Sequence, residues 1–170
     1  MKYCFYRVIV FLLCITVVLQ ACSYRVYVVR HAEKATEPAN DPSLTTEGSQ
    51  RAETLKEKLK KKKVAAIYST NTIRTMKTCE PLAKQLNISI INYPGKPGAA
   101  FIDSVKQKRK SQLIVGHSNT VDDLVNMLTG RHILDDLPET IYDNLFVVKI
   151  YRGKRAPSFT NLKYGKRSAE

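Results

Sequence analysis

Tryptophan is absent, and the 170-residue chain carries only four cysteines, Cys4, Cys14, Cys22 and Cys79. Thiols so few and so scattered exclude a disulfide scaffold and a Cys-x-x-Cys zinc site. Acidic residues are scarce too: 15 Asp+Glu stand against 28 Lys+Arg, a formal charge of +13. No repeat occurs at a solenoid period, and no apolar run reaches the roughly 20 residues that cross a bilayer as a helix. What is present suits a globular chain. Hydrophobic residues at 44% and charged residues at 25% exclude a disordered or collagen-like polypeptide, and the length fits one domain with its own core.

Lys2 and Arg7 give a positive start, and residues 8–19 form an apolar run broken only by Thr16. The run is too short for a span but fits the core of a signal peptide. Leu19-Gln20-Ala21-Cys22 follows and resembles the lipobox of bacterial lipoproteins. That resemblance implies cleavage after Ala21, lipid on Cys22, and residence in the bacterial cell envelope on a periplasmic or extracellular face. An uncleaved hydrophobic anchor is the alternative. On the lipoprotein reading, residues 1–21 are a signal peptide, 22–162 a single domain, and 163–170 a basic, frayed tail.

Residues 24–29 are β-branched and aromatic and read as a first strand. Thr45 or Thr46 offers an N-cap for a helix whose Gly48, Ala52, Leu55 and Leu59 share one face. Strand 64–68 and a helix over 71–86 follow, the latter with Met76, Cys79, Ala83 and Leu86 on its stripe and a bend or break expected at Pro81. Next come strand 88–91, a Pro/Gly loop over 94–98, a basic helix over 99–109 and strand 113–115. A stripe of Val121, Leu124, Val125 and Leu128 is closed by Gly130. Strand 144–151 and a weak edge strand over 159–162 complete the pattern. Such alternation predicts a three-layer α/β/α sandwich, a mostly parallel sheet with helices on both faces.

Sites in open α/β sheets lie beyond the carboxyl ends of strands. The first strand runs into Arg30-His31, the second into Ser69-Thr70 with Arg74 in the next helix turn, and the fourth into Gly116-His117-Ser118-Asn119. Two arginines and two histidines thus meet at one rim. Guanidinium groups match phosphate oxygens, and a neutral histidine can attack phosphorus. A metal bound by His31, Glu33 and His117 is disfavoured, because the arginines repel a cation. Singly, either histidine reads as structural; their joint placement points to a site. His132 lacks such context and reads as surface, while Cys79, Met76 and Tyr68 read as packing.

Arg30-His31-Ala32-Glu33-Lys34, Leu44-Thr45 with Gly48, Ser69 to Thr75 including Arg74, and Val115-Gly116-His117-Ser118 together resemble the histidine phosphatase (phosphoglycerate mutase-like) superfamily, in its small, cap-less branch. The likeness implies the phosphoglycerate mutase-like fold, with His31 as the phosphorylated nucleophile. Arg30, Arg74 and His117 then clamp the phosphoryl oxygens, without metal or other cofactor, on a small phosphorylated substrate. Ala32 replaces the commoner glycine, and Glu37 stands where many relatives place a phosphate-binding asparagine. Asn119 and Asn144 are candidate substrate-binding residues.

Many relatives also carry a carboxylate after the second arginine to protonate the leaving oxygen, yet residues 88–100 hold no Asp or Glu. Glu33 and Asp103 are the nearest candidates for a general acid. A missing acid favours phosphoramidates or acyl phosphates, whose departure needs less help. The function expected is hydrolysis of phosphate monoesters or phosphoramidates through phosphohistidine. The alternatives are a catalytically idle phosphate-binding envelope lipoprotein and a phosphohistidine-protein phosphatase.

Lys60, Lys61, Lys62 and Lys63 end one helix, and Lys106, Lys108, Arg109 and Lys110 end another. Solvated helix ends favoured by the helix dipole are the default reading. No aromatic interleaving suggests nucleic acid. Both runs precede strands and so lie opposite the rim, beside Cys22, where they would meet anionic headgroups of the membrane holding the lipid.

Overall fold

A computed structural model describes residues 23–168. The signal-peptide reading and Cys22 fall outside the described residues. Ten elements alternate along the chain: β1 (Ser23–Arg30), α1 (Thr46–Leu59), β2 (Ala66–Ser69), α2 (Ile73–Leu86), β3 (Ile90–Asn92), α3 (Ala99–Gln107), β4 (Gln112–Gly116), α4 (Val121–Thr129), β5 (Asn144–Tyr151) and β6 (Ser158–Lys163). The sheet order is β3-β2-β4-β1-β5-β6. β1, β2, β3 and β4 pair in parallel, whereas β5 is antiparallel to both β1 and β6. Of the six strands described, β5 alone runs against the rest. Residues 130–143, without helix or strand, carry the chain back to the carboxyl edge before β5 enters.

Alternation along β1 feeds two cores. Val26 and Val28 pack with Ile102, Val105, Leu124 and Leu128 of α3 and α4. Tyr27 and Val29 pack on the other face with Leu55, Leu59, Cys79 and Leu82 of α1 and α2. Burial on both faces accounts for the near-continuous apolar strands, and it makes the expected three-layer α/β/α sandwich with a mostly parallel sheet. Thr45 caps α1 by accepting the Gly48 amide at 3.0 Å. Gly130 ends α4 in the left-handed region, with φ 68°.

Three local expectations change. α2 continues unbroken through Pro81: the contacts of Cys79, Leu82 and Ala83 with the sheet offset a cost of about 3 kcal/mol for proline in a helix interior. Its buried face is also turned from the expected stripe, with Thr75 and Thr78 inside and Met76 and Leu86 half-buried. Both hydroxyls are satisfied internally, Thr78 Oγ1 accepting the Ala32 amide at 2.9 Å and donating to the Arg74 carbonyl at 2.8 Å. The segment after β6, expected to fray from Lys163, is docked. Tyr164 is buried, and the Arg51 guanidinium donates to the carbonyls of Tyr164 and Lys166 at 2.7 and 2.8 Å. Backbone carbonyls anchor it together with ion pairs of Lys163 with Asp143 at 2.7 Å and Lys166 with Glu47 at 3.1 Å.

Candidate active site

β1 and β4 are parallel neighbours with Arg30 opposite Gly116, and the His31 amide donates to the Gly116 carbonyl at 2.9 Å. The next residue of each strand end is therefore brought face to face. The His31 and His117 rings sit edge-to-face with centroids 5.5 Å apart. β2 lies beside β4 and delivers Thr70, while the first turn of α2 delivers Arg74.

His31 is buried, and its Nδ1 lies 2.8 Å from the Ala32 carbonyl. A carbonyl can only accept, so Nδ1 carries the proton and the Nε2 lone pair is left free. Burial pushes the His31 pKa down to about 3, the Ala32 hydrogen bond opposes this, and the positive Arg30, His117 and Arg74 depress it further. His117 has its Nε2 2.9 Å from Thr70 Oγ1 and its Nδ1 3.4 Å from Arg74 Nη2. Thr70 Oγ1 donates onward to Thr75 Oγ1 at 3.0 Å, and Thr75 Oγ1 donates to the Thr70 carbonyl at 2.9 Å. The hydroxyl relay assigns the proton to Nε2 and leaves Nδ1 accepting from the guanidinium. Burial, then Arg74 and Arg30, lower the His117 pKa to about 4 against the pull of Asp41 and Glu139.

The two arginines differ. Arg74 borders the open cleft and reaches Asp41 Oδ1 at 3.3 Å, a carboxylate that also accepts the Ile73 amide. Arg30 is buried and turned towards residues 138–142. Its Nη1 donates to the carbonyls of Glu139 at 2.7 Å and Pro138 at 3.1 Å, its Nη2 meets Glu139 Oε2 at 2.6 Å, and its plane stacks 4.2 Å over the Tyr142 ring. In this structure Arg30 thus supports the segment that carries Glu139 and does not border the cleft with Arg74. The Nε atoms of both arginines are buried without a hydrogen-bond partner among the described residues.

A cleft of about 670 Å³ opens over these groups, large enough for a small phosphorylated molecule or a modified side chain. His31, Arg74 and His117 line it together with Lys34, Lys96, Asn119, Asp123 and Glu139. Asn119 is where the sequence places it. Three other expectations are corrected. Glu33 does not reach the cleft: its two oxygens take Arg51 Nε at 2.9 Å each, and Oε1 takes Nη2 at 2.6 Å. Asp103 is exposed on α3, away from the cleft. Asn144 is buried at the start of β5 and accepts from Asn161 of β6 at 3.1 Å.

The sequence reading missed Glu139. Its Oε1 accepts from Ser118 Oγ and its side chain is 70% exposed. The Ser118 hydrogen bond, together with Arg30 and Lys34, holds the carboxyl below the usual carboxylate range against the opposing effect of burial. No local motif marks it; the one available signal was that the chain must regain the carboxyl edge before β5. Asp41 and Lys96 were missed likewise.

Close contact behind His31 fixes its loop. The Thr45 amide donates to the Glu33 carbonyl at 2.9 Å, and a Cβ on Gly48 would lie 2.2 Å from that oxygen. Only glycine lets α1 approach so near. The spacing Leu44-Thr45-x-x-Gly48 thereby holds the start of α1 against the loop that follows His31.

No protein of curated function matches the sequence. Among solved structures, the protein histidine phosphatase SixA, complexed with tungstate, is similar with a TM-score of 0.63 and 20% identity, over 82% of this chain and 96% of that one. YhfR of Bacillus stearothermophilus is similar with a TM-score of 0.59 and 17% identity, over 82% and 96%. A mycobacterial glucosyl-3-phosphoglycerate phosphatase follows with a TM-score of 0.58 and 12% identity, over 84% and 99%. At these identities the likeness is one of fold. Residues 26–95, which include Arg30, His31 and Arg74, match the family model of the histidine phosphatase superfamily (branch 1). Over that segment the chain is similar to the histidine phosphatase superfamily, and the paired imidazoles at the carboxyl edge of the shared fold agree with the match.

Proposed function

We propose that the protein is a phosphatase that hydrolyses phosphate monoesters or phosphoramidates through a phosphohistidine on His31. One observation carries this reading: a buried, neutral imidazole whose Nδ1–H is tied to the Ala32 carbonyl leaves Nε2 free beside His117 and Arg74. Nε2 attacks phosphorus, and the bond from phosphorus to the leaving atom breaks with its electron pair on that atom. Arg74 neutralises charge on the transferring oxygens as it spreads, its guanidinium steadied by His117 Nδ1. Water then attacks phosphohistidine, Nε2 recovers its pair, and inorganic phosphate departs. SixA with bound tungstate, a tetrahedral oxyanion, supports a phosphoryl-sized site in this fold.

Glu139 is the group we assign to proton transfer. It is ionised while Ser118 and Arg30 hold it. An arriving phosphate competes for those donors and repels the carboxylate, which favours its protonated form. The acid then gives its proton to the leaving oxygen and, as carboxylate, accepts one from the attacking water. With that role filled, a restriction to phosphoramidates loses its premise.

An idle phosphate-binding protein is the second reading, favoured by the engagement of Arg30 with Glu139 instead of the cleft. Turnover of p-nitrophenyl phosphate with EDTA present separates the two. Turnover that His31→Ala abolishes, with acid-labile label trapped on His31, supports the phosphatase. Phosphate binding with no turnover of any tested phosphate compound establishes the idle protein.

A further inference from the structure

The edge of the sheet opposite the cleft gathers basic residues from five separate segments. β1 begins there, and its first residues tie the others together. Tyr24 Oη donates to the Lys106 carbonyl at 2.9 Å, and the Arg25 amide to Ser111 Oγ at 3.2 Å. The Ala65 amide donates to the Ser111 carbonyl at 2.8 Å and so brings up the end of the lysine run 60–63. Since β5 is antiparallel with Ser23 opposite Tyr151, the β5–β6 turn arrives at the same edge. Arg152 Nη2 donates to the Arg109 carbonyl and Arg131 Nη2 to the Pro157 carbonyl, each at 3.2 Å.

Arg152, Lys154 and Arg155 thereby join two lysine-rich helix ends that the sequence alone could group, and all three are exposed. Sequence segments 1–32, 58–79, 104–121 and 144–169 contain no Asp or Glu, so four of the five stretches carry no carboxylate of their own, while Lys60 pairs with Glu57 and Arg131 belongs to the acid-bearing stretch 122–143. Residues 1–22, with the apolar run 8–19, join the fold at this same edge. From Ser23 to the rim β1 spans eight residues, about 25 Å at strand rise.

We propose that this edge is a docking face for an anionic lipid bilayer, which leaves the cleft pointing away from that bilayer into the aqueous phase. The charge is spread across five segments instead of gathered on one, as a planar surface of headgroups requires. The apolar run entering at the same edge singles out a membrane over a nucleic acid. The phosphatase reading is not needed for this inference, and binding is measured without turnover.

The test uses the full chain sedimented with vesicles of phosphatidylcholine, or of phosphatidylcholine with roughly a third phosphatidylglycerol. Binding should favour the anionic vesicles and weaken as salt rises from about 0.1 M to about 0.5 M, where the Debye length falls below half. The triple variant Arg152→Gln, Lys154→Gln, Arg155→Gln should lose affinity for anionic vesicles by on the order of 100-fold, with affinity for neutral vesicles and the thermal midpoint unchanged. Should that variant misfold, Lys61→Gln with Lys62→Gln tests a different segment in the same direction. Equal binding to both vesicle types, charge variants that bind as the natural protein does, or tighter binding to duplex DNA than to anionic vesicles overturns the proposal.

Discussion

The two edges of one sheet are both rich in cations, yet they are built differently. At the carboxyl edge Arg30 and His31 are buried at 2% and 3% exposure, and carboxylates stand among the cations: Asp41 on Arg74, Glu139 on Arg30. At the amino edge the charges of the β5–β6 turn and of residues 61–63 extend into solvent. Burial among fixed charges drives the pKa values of His31 and His117 far from their ordinary range, whereas exposed lysines are screened within a Debye length. Positive charge alone therefore does not make a reactive site. A reactive rim needs cations whose geometry is held and whose solvent is excluded; a docking face needs only their sum.

Substitutions at the rim should change turnover, and equal changes of charge at the amino edge should not. The largest effect belongs to His31→Ala, with kcat for p-nitrophenyl phosphate down by at least about 10⁴-fold. Retention of a tenth of the natural rate would remove His31 from the chemistry. Arg74→Ala should cost about 10³-fold in kcat/KM through lost stabilisation of charge in the transition state. Arg74→Lys should recover little, because an ammonium lacks the planar fork. Glu139→Gln should lower kcat/KM for alkyl phosphates by about 100-fold and leave kcat/KM for p-nitrophenyl phosphate within about threefold, since p-nitrophenolate departs unaided and kcat/KM does not include the later attack of water. An equal loss on both substrates would assign Glu139 to holding Arg30 and Ser118 instead of moving a proton.

The same contrast separates what was legible in the sequence from what was not. The strand ends could be read because the histidines that line the cleft follow apolar runs directly, as in Val29-Arg30-His31 and Val115-Gly116-His117. The start of α1 could be read from Thr45 and Gly48, whose roles are local. Glu139 could not, because its place depends on distant partners: the Leu137 amide on the Ser118 carbonyl, and Arg30 on the carbonyls of 138 and 139. Segment 130–143 has no helix or strand, so periodicity offers nothing to follow. The turned face of α2 was hidden for a related reason. Thr75 and Thr78 are inside for their hydrogen bonds, which hydropathy does not register. Glu33 looked available to the site because it is two residues from His31, but the bidentate grip of Arg51 commits it to the segment after β6.

The smallest expected effect is a near-absence of acid inhibition, and it tests the electrostatics of the rim most directly. An ordinary histidine with a pKa near 6.5 would lose about 30-fold of its neutral form by pH 5. His31, held down at about 3, stays more than nine-tenths neutral there. After correction for the ionisation of the substrate itself, kcat/KM should change by less than about twofold between pH 7.5 and 5. An acid limb near pH 6.5 that survives this correction would mean that the rim does not exclude solvent as the structure implies. Stability must move the other way. Both His31 and His117 bind a proton more weakly folded than unfolded, so the unfolded chain gains protons first as pH falls. Their contribution to stability is complete above about pH 6.5 and is lost progressively towards pH 4 and 3. Urea midpoints should therefore fall across that window in the natural protein, and fall less steeply in His31→Gln. Identical slopes would place the His31 pKa in the folded protein near its unfolded value, and the rim would then resemble the amino edge, charged but open to water.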